Sequence, residues 1–194
     1  MLYSIFDDMN QCTEQEVKRM LAMVSEQRRE QALHYKHTFG QYCCLKAYLM
    51  LTELLAEWGR IHLLSLPTQP IFLYNEYGAP RIDNGPYISI SHCKNGIAVA
   101  VNDTPIGIDI EAVRPLKGEL MQKTMSPTEQ AEIRKAEQAD WQFIRLWTKK
   151  EAYLKMLGTG IISDLHHVLD NTDTIYWHEI SHQEPDYICT IAKQ

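Results

Sequence analysis

The chain has 194 residues, of which 45% are hydrophobic and 23% charged, an ordinary composition for a folded protein that excludes disorder and collagen-like repeats. At roughly 150 residues per domain the length allows one domain or two small ones. Nineteen Lys and Arg against twenty-five Asp and Glu give a net charge of −6; this speaks against a protein held to nucleic acid by its phosphates, and an anionic ligand would need a locally basic pocket.

In chain order, Leu2–Phe6 reads as a short strand. Thr13 with Glu16 three residues on has capping-box spacing, and Val17, Met20, Leu21 and Val24 follow on one helical face. Ser25 opens a polar helix, SEQRREQALHYK, with Arg28, Arg29 and Lys36 as its basic members. Residues 41–58 contain no Gly or Pro and many apolar positions, as a buried helix does. From Leu63 to Asn84 three prolines and strand-like Ile71–Tyr74 indicate a loop-rich stretch with hairpin character. Tyr87–His92 alternates apolar and polar, Ile97–Val101 is apolar and β-branched, and Ile106–Glu111 is a further strand, with turns between them. Ser126-Pro127-Thr128-Glu129 marks a helix start, and Asp140 can cap a longer helix from Trp141 to about Leu157, stopped by Gly158 and Gly160. Alternation returns around Ile175 and Trp177 and over Tyr187–Ala192. The mixed order without regular βαβ units predicts an α+β fold with antiparallel sheets. No internal repeat is evident in the sequence.

Five cysteines, two of them adjacent and none in a C-x-x-C pair, argue against a disulfide framework or a zinc site. Neither a secretory signal nor a run of ~18 apolar residues stands out. Free thiols in a chain without such segments lead to the expectation of a cytoplasmic protein with no membrane or nucleic-acid partner.

Three segments can carry chemistry. In Gly107-Ile108-Asp109-Ile110-Glu111 the two acids project from one face of a strand. They are either two solvated surface acids or a pair that repels until a hard cation such as Mg²⁺ sits between them. In Trp147-Thr148-Lys149-Lys150-Glu151-Ala152-Tyr153-Leu154-Lys155 the spacing puts Trp147, Glu151 and Lys155 on one helical face, with Lys150 beside it. That stripe is either an exposed Glu–Lys pair or a third acid with two phosphate-binding lysines. Ser89-Ile90-Ser91-His92 ends a strand. His92 is either structural or, with the neighbouring hydroxyls, part of an anion site.

Together and in this order, the three segments resemble the signature motifs of the 4′-phosphopantetheinyl transferases, in particular the larger, single-chain class. Tyr77-Gly78-Ala79-Pro80, the N-terminal basic helix and the length extend the resemblance over most of the chain. It implies two similar α+β halves about a pseudo-twofold axis, residues 1–104 and 105–194, with coenzyme A between them. Asp109, Glu111 and Glu151 match metal-binding acids for Mg²⁺. Ser91, His92, Lys150 and Lys155 match positions near the coenzyme A phosphates, and Arg28 and Lys36 are the N-terminal candidates for that ligand. The implied reaction moves the phosphopantetheine arm to a serine of an acyl or peptidyl carrier protein and releases 3′,5′-ADP. Glu151 and Lys155 are the implied catalytic residues; Glu151 or a metal-held water takes the serine proton. Arg114, Lys117 and Lys123 are either a docking patch for an acidic carrier or a solvated loop. Alternatives are an inactive coenzyme A or carrier-binding module and a Mg²⁺-dependent phosphohydrolase. A single chain with both walls of the cleft implies a monomer. Two positions depart from the family pattern: Ala79 stands where Lys is common, so that the contact is either missing or supplied by Arg81, and Gln41-Tyr42 stands where many members carry Arg, with Arg28, Lys36 or Lys46 as substitutes.

Overall fold

A computed structural model describes residues 1–64, 66–160 and 164–194. The chain runs through β1 (Leu2–Phe6), a 3₁₀ turn at Met9–Gln11, α1 (Glu14–Leu21), α2 (Glu26–Leu33) and α3 (Thr38–Ile61). A short hairpin of β2 (Leu73–Tyr74) and β3 (Pro80–Arg81) leads into β4 (Tyr87–Cys93), β5 (Gly96–Asn102) and β6 (Ile106–Ala112). Helices α4 (Gly118–Thr124), α5 (Pro127–Lys135) and α6 (Ala139–Leu157) then precede β7 (Tyr176–Gln183) and β8 (Asp186–Lys193). Every strand pair is antiparallel, so the expected α+β class holds.

Local chemistry sets several helix ends. The Thr13 hydroxyl accepts the Glu16 amide at 3.2 Å and the Ser25 hydroxyl the Arg28 amide at 3.3 Å. At α5 both halves of the capping box form: Ser126 Oγ accepts from the Glu129 amide, and Glu129 Oε2 from the Ser126 amide. Helix α6 stops at Gly158, whose φ of 68° is left-handed. Three local expectations shift. Helix α3 begins at Thr38, before residue 41. Asp140 does not cap α6; the helix begins at Ala139, and Asp140 Oδ1 instead accepts the amide of Leu116, tying the segment before α4 to α6. Helix α4, with Gly118 at its start, has too short an apolar pattern to stand out in the sequence.

The first sheet has the order β1-β5-β4 and the second β6-β8-β7. Helix α3 covers the first, with α1 and α2 against it, and α6 lies on β6 and β8. Tyr42, Leu45, Tyr48, Leu51 and Leu55 of α3 share a core with Val99 and Val101 of β5. The two sheets meet where β4 and β5 approach β6. Strand β6 is therefore packed from several sides, and all of Ile106–Ile110 is buried. Among the described residues its outer edge has no neighbouring strand, and Ser89 of β4 substitutes for one: its hydroxyl accepts the Ile108 amide at 3.0 Å.

Alternation along β6 sends Ile108 and Ile110 into a cluster with Ala98, Ala100, Cys189 and Ile191. Gly107, Asp109 and Glu111 face α6. A side chain at Gly107 would collide with the Ala152 carbonyl and come within 2.5 Å of the Met156 nitrogen. Only the missing Cβ lets the helix settle this close to the strand. Among the described residues, no helix is long and apolar enough to cross a membrane, and the five cysteines are free thiols.

Candidate active site

Because α6 rests on β6 at Gly107, the next inward-facing residue of the strand, Asp109, lies beneath the helix. Asp109 is 4% exposed. Its Oδ1 accepts from Ser91 Oγ at 2.8 Å and from the Lys155 ammonium at 2.7 Å. One carboxylate oxygen thus joins β4, β6 and α6. The other, Oδ2, is buried without a hydrogen-bond partner, and so is Glu151 Oε1. Glu111 is half-buried and pairs with Arg114 at 3.0 Å.

Two of the acids are shifted by burial and by their acidic neighbours. Burial raises the pKa of Glu151; Asp109 and Glu111 raise it further, against the pull of Lys155. Burial followed by Asp109 likewise raises Glu111, with Arg114 opposing. These shifts are those of carboxylates crowded together in a medium that solvates charge poorly. As the side chains stand, no three His, Cys, Asp or Glu groups among the described residues converge tightly enough to hold a metal ion. Asp109 and Glu111 each turn to a protein cation instead. The donor set nevertheless fits a hard divalent cation: carboxylate oxygens only, two of them buried with unused acceptor capacity.

A cleft of about 680 Å³ opens beside this cluster. The β2–β3 hairpin contributes Tyr77, Gly78 and Arg81 to its lining, the end of α6 contributes Glu151, Lys155 and Gly158, and β4 contributes Ser89. Glu151 is the member of the acid trio that lines it. A second, smaller recess of about 390 Å³ is lined by His92, Lys94, Glu111 and Arg114. The His92 ring is exposed and meets Phe39 edge-on at 6.0 Å. Desolvation by the surrounding protein and then the Lys155 charge lower its pKa, with Asp109 opposing, which favours the neutral imidazole.

The remaining expected site residues lie elsewhere. Lys150 does not reach the cleft: it is 1% exposed, and its ammonium donates to Glu129 Oε2 at 2.7 Å, the Thr124 carbonyl at 2.9 Å and the Leu165 carbonyl at 2.7 Å. All three donors are spent inside the protein, so the expectation of a phosphate contact gives way to a buried tie from α6 to the end of α4, to α5 and to Leu165 beyond α6. Arg28 is buried as well. Its guanidinium lies 5.0 Å from the Tyr48 ring centre and 4.7 Å from that of Phe72, and it donates to the Tyr74 hydroxyl at 3.3 Å. It belongs to the packing of α2 on α3, not to the cleft lining. Lys36 is exposed between α2 and α3, and Lys46 sits over the Phe6 ring. Among the described residues, Arg81 and Lys155 are the two cations that line the cleft. Arg81 was a candidate from the Gly-Ala-Pro turn before it, whereas Asn75 had no periodic signal in the sequence.

Comparison with known proteins places these features in context. The family model of the 4′-phosphopantetheinyl transferase superfamily matches residues 105–192. The chain is 27% identical over 165 residues to the 4′-phosphopantetheinyl transferase Sfp of Bacillus subtilis (strain 168), covering 82% of this chain and 71% of that protein. It is 31% identical over 151 residues to another Bacillus subtilis 4′-phosphopantetheinyl transferase, covering 75% and 65%. The 4′-phosphopantetheinyl transferase gsp of Aneurinibacillus migulanus is 30% identical over 141 residues, covering 71% and 57%. The chain thus spans less than two thirds of the length of the latter two relatives.

Proposed function

The chain belongs to the 4′-phosphopantetheinyl transferase superfamily, and we propose that it moves the phosphopantetheine arm of coenzyme A to a serine of an acyl or peptidyl carrier protein, with Mg²⁺, releasing 3′,5′-ADP. The observation that carries this reading is the pair of partnerless buried oxygens, Asp109 Oδ2 and Glu151 Oε1, beside a cleft walled by Arg81 and Lys155. An acid cluster next to two cations is what a polyanionic ligand and a divalent ion jointly require.

In the proposed reaction the serine oxygen attacks the phosphorus nearer the pantetheine arm, and the bond to the nucleotide's 5′-phosphate oxygen breaks. Asp109, Glu111 and Glu151 would hold Mg²⁺, which when bound neutralises charge on the pyrophosphate. Ser91 keeps Asp109 oriented through its 2.8 Å hydrogen bond. Lys155 spends one donor on Asp109 and keeps two for the leaving phosphate as its charge grows. Glu151, lining the cleft, is placed to accept the serine proton. His92 lines the smaller recess beside Glu111, not the cleft, and takes no part in this step. Arg114, Lys117 and Lys123, which follow β6, would supply positive surface for an acidic carrier.

The reading takes residues 1–104 and 105–194 as two halves about a pseudo-twofold axis, in a monomer of the cytoplasm. Its support is that each half has a three-stranded antiparallel sheet under a long helix, with cleft residues from both. The two halves expressed separately should each be inactive. Intact mass spectrometry of a panel of apo-carriers, incubated with coenzyme A, Mg²⁺ and the protein, tests the function. A gain equal to one phosphopantetheine arm is expected. Release of 3′,5′-ADP from coenzyme A without any carrier would point to a phosphohydrolase instead.

A further inference from the structure

The cleft has one wall on a short hairpin and the other on the last turns of α6. Asn75, the residue after β2, bonds with both. Its Oδ1 accepts the Tyr77 amide at 3.0 Å and the Ala79 amide at 2.9 Å, and so builds the hairpin turn. Its Nδ2 donates across the cleft end to the Gly158 carbonyl at 2.8 Å. Among the described residues this is the one hydrogen bond that joins the hairpin to α6. Gly158 is the left-handed cap of that helix, and its own missing side chain allows the approach: a Cβ there would come within 3.3 Å of Asn75 Nδ2.

We propose that Asn75 is a positioning residue that sets the width of the cleft and so the affinity for coenzyme A, an inference that rests on the transferase reading above. The bond fixes the relation between Arg81 on the hairpin and Lys155 on α6. Both cations line the cleft, each from its own element. A ligand with phosphates at two places meets both only if their separation is held. The hairpin cannot hold it alone, since β2 and β3 are two residues each and largely exposed. Such short, exposed pairs open readily. The Asn75 bond prepays that ordering before the ligand arrives, which is the physical content of preorganisation. Asn75 itself is exposed, so losing the bond should affect the cleft far more than global stability.

Asn75→Asp separates the two jobs of the side chain. The carboxylate still accepts the Tyr77 and Ala79 amides and keeps the turn, but it turns an acceptor toward the Gly158 carbonyl where a donor stood. Coenzyme A binding by calorimetry and steady-state kinetics with an apo-carrier should show Kd and KM for coenzyme A raised about tenfold. kcat should change far less, the KM for the carrier should hold, and thermal unfolding should stay near that of the wild type. Asn75→Ala, which loses the turn contacts as well, should weaken coenzyme A binding at least as much. Coenzyme A affinity within about twofold of wild type in Asn75→Asp overturns the proposal, as does a fall in kcat at unchanged KM. If the wild-type protein binds no coenzyme A, the transferase reading fails and this one with it; if it binds and Asn75→Asp binds equally, this one alone falls.

Discussion

Replacing Gly107 by alanine would put a methyl group against the backbone of α6, 2.5 Å from the Met156 nitrogen and in collision with the Ala152 carbonyl. Neither obstacle is a side chain that can rotate away, so the helix itself must lift from β6, by on the order of 1 Å. Overpacking a core costs about 1–3 kcal/mol when side chains can adjust. Here the upper end, about 3 kcal/mol, is the working figure. In a chain of this size each kcal/mol lowers Tm by about 2–4 °C, so the loss should be about 6–12 °C. The chemistry should suffer more. Ala152 follows Glu151 and Met156 follows Lys155, so the displaced turns are those that carry the cleft's acid and its cation. Misplacement by about 1 Å costs about 10²-fold in turnover. Thermal denaturation of the purified variant and carrier loading at saturating coenzyme A measure the two effects. Gly118→Ala is the control: that site, at the start of α4, has no atom within 4 Å of an added Cβ, and alanine there should leave stability unchanged or raise it by up to about 1 kcal/mol. A Gly107→Ala protein that melts within about 2 °C of wild type and turns over normally would refute the account of how β6 and α6 make the site.

Asp109→Asn and Glu151→Gln should each lower turnover by at least ~10²-fold, and the rise in Tm that Mg²⁺ gives the wild type should vanish; a variant that keeps both properties is not a metal ligand. Lys150→Met should leave Glu129 and two carbonyls without their buried donor, at a cost of about 3–5 kcal/mol, seen as a markedly lower Tm with the KM for coenzyme A unchanged in the folded protein. A raised KM at normal Tm would return Lys150 to the phosphates. Burial pushes the Cys43 thiol up to about 12 and the Cys93 thiol to about 11, so iodoacetamide near pH ~8 should modify both slowly in the native protein, with half-buried Cys12 first, and all five thiols rapidly in urea. Rapid native labelling of Cys43, read by peptide mass spectrometry, would contradict that burial.

Much of the fold and part of the site are written in local pattern. The capping box at Ser126 and Glu129, the stop at Gly158 and the alternation that puts Asp109 and Glu111 on one face of β6 depend on neighbours within four residues. Such interactions are decided by residue type and spacing before any tertiary contact forms. The order of the three motifs along the chain likewise needed no structure to point to their family.

What lay outside the sequence was which partner each polar group finds. Lys150 and Lys155 are both lysines on one helix near the same acid; the first is turned into the packing with α5 and the second toward the cleft, because the helix presents them to different neighbours. Asp140 has the chemistry of a cap but serves a loop amide that is distant in sequence. Arg28 looks like a surface cation of a polar helix until Tyr48 and Phe72 close on its guanidinium. Asn75 is an ordinary turn residue until the end of α6 arrives beside it. Spacing along the chain determines which face a residue occupies, whereas only the packing of elements far apart in sequence decides what that face meets.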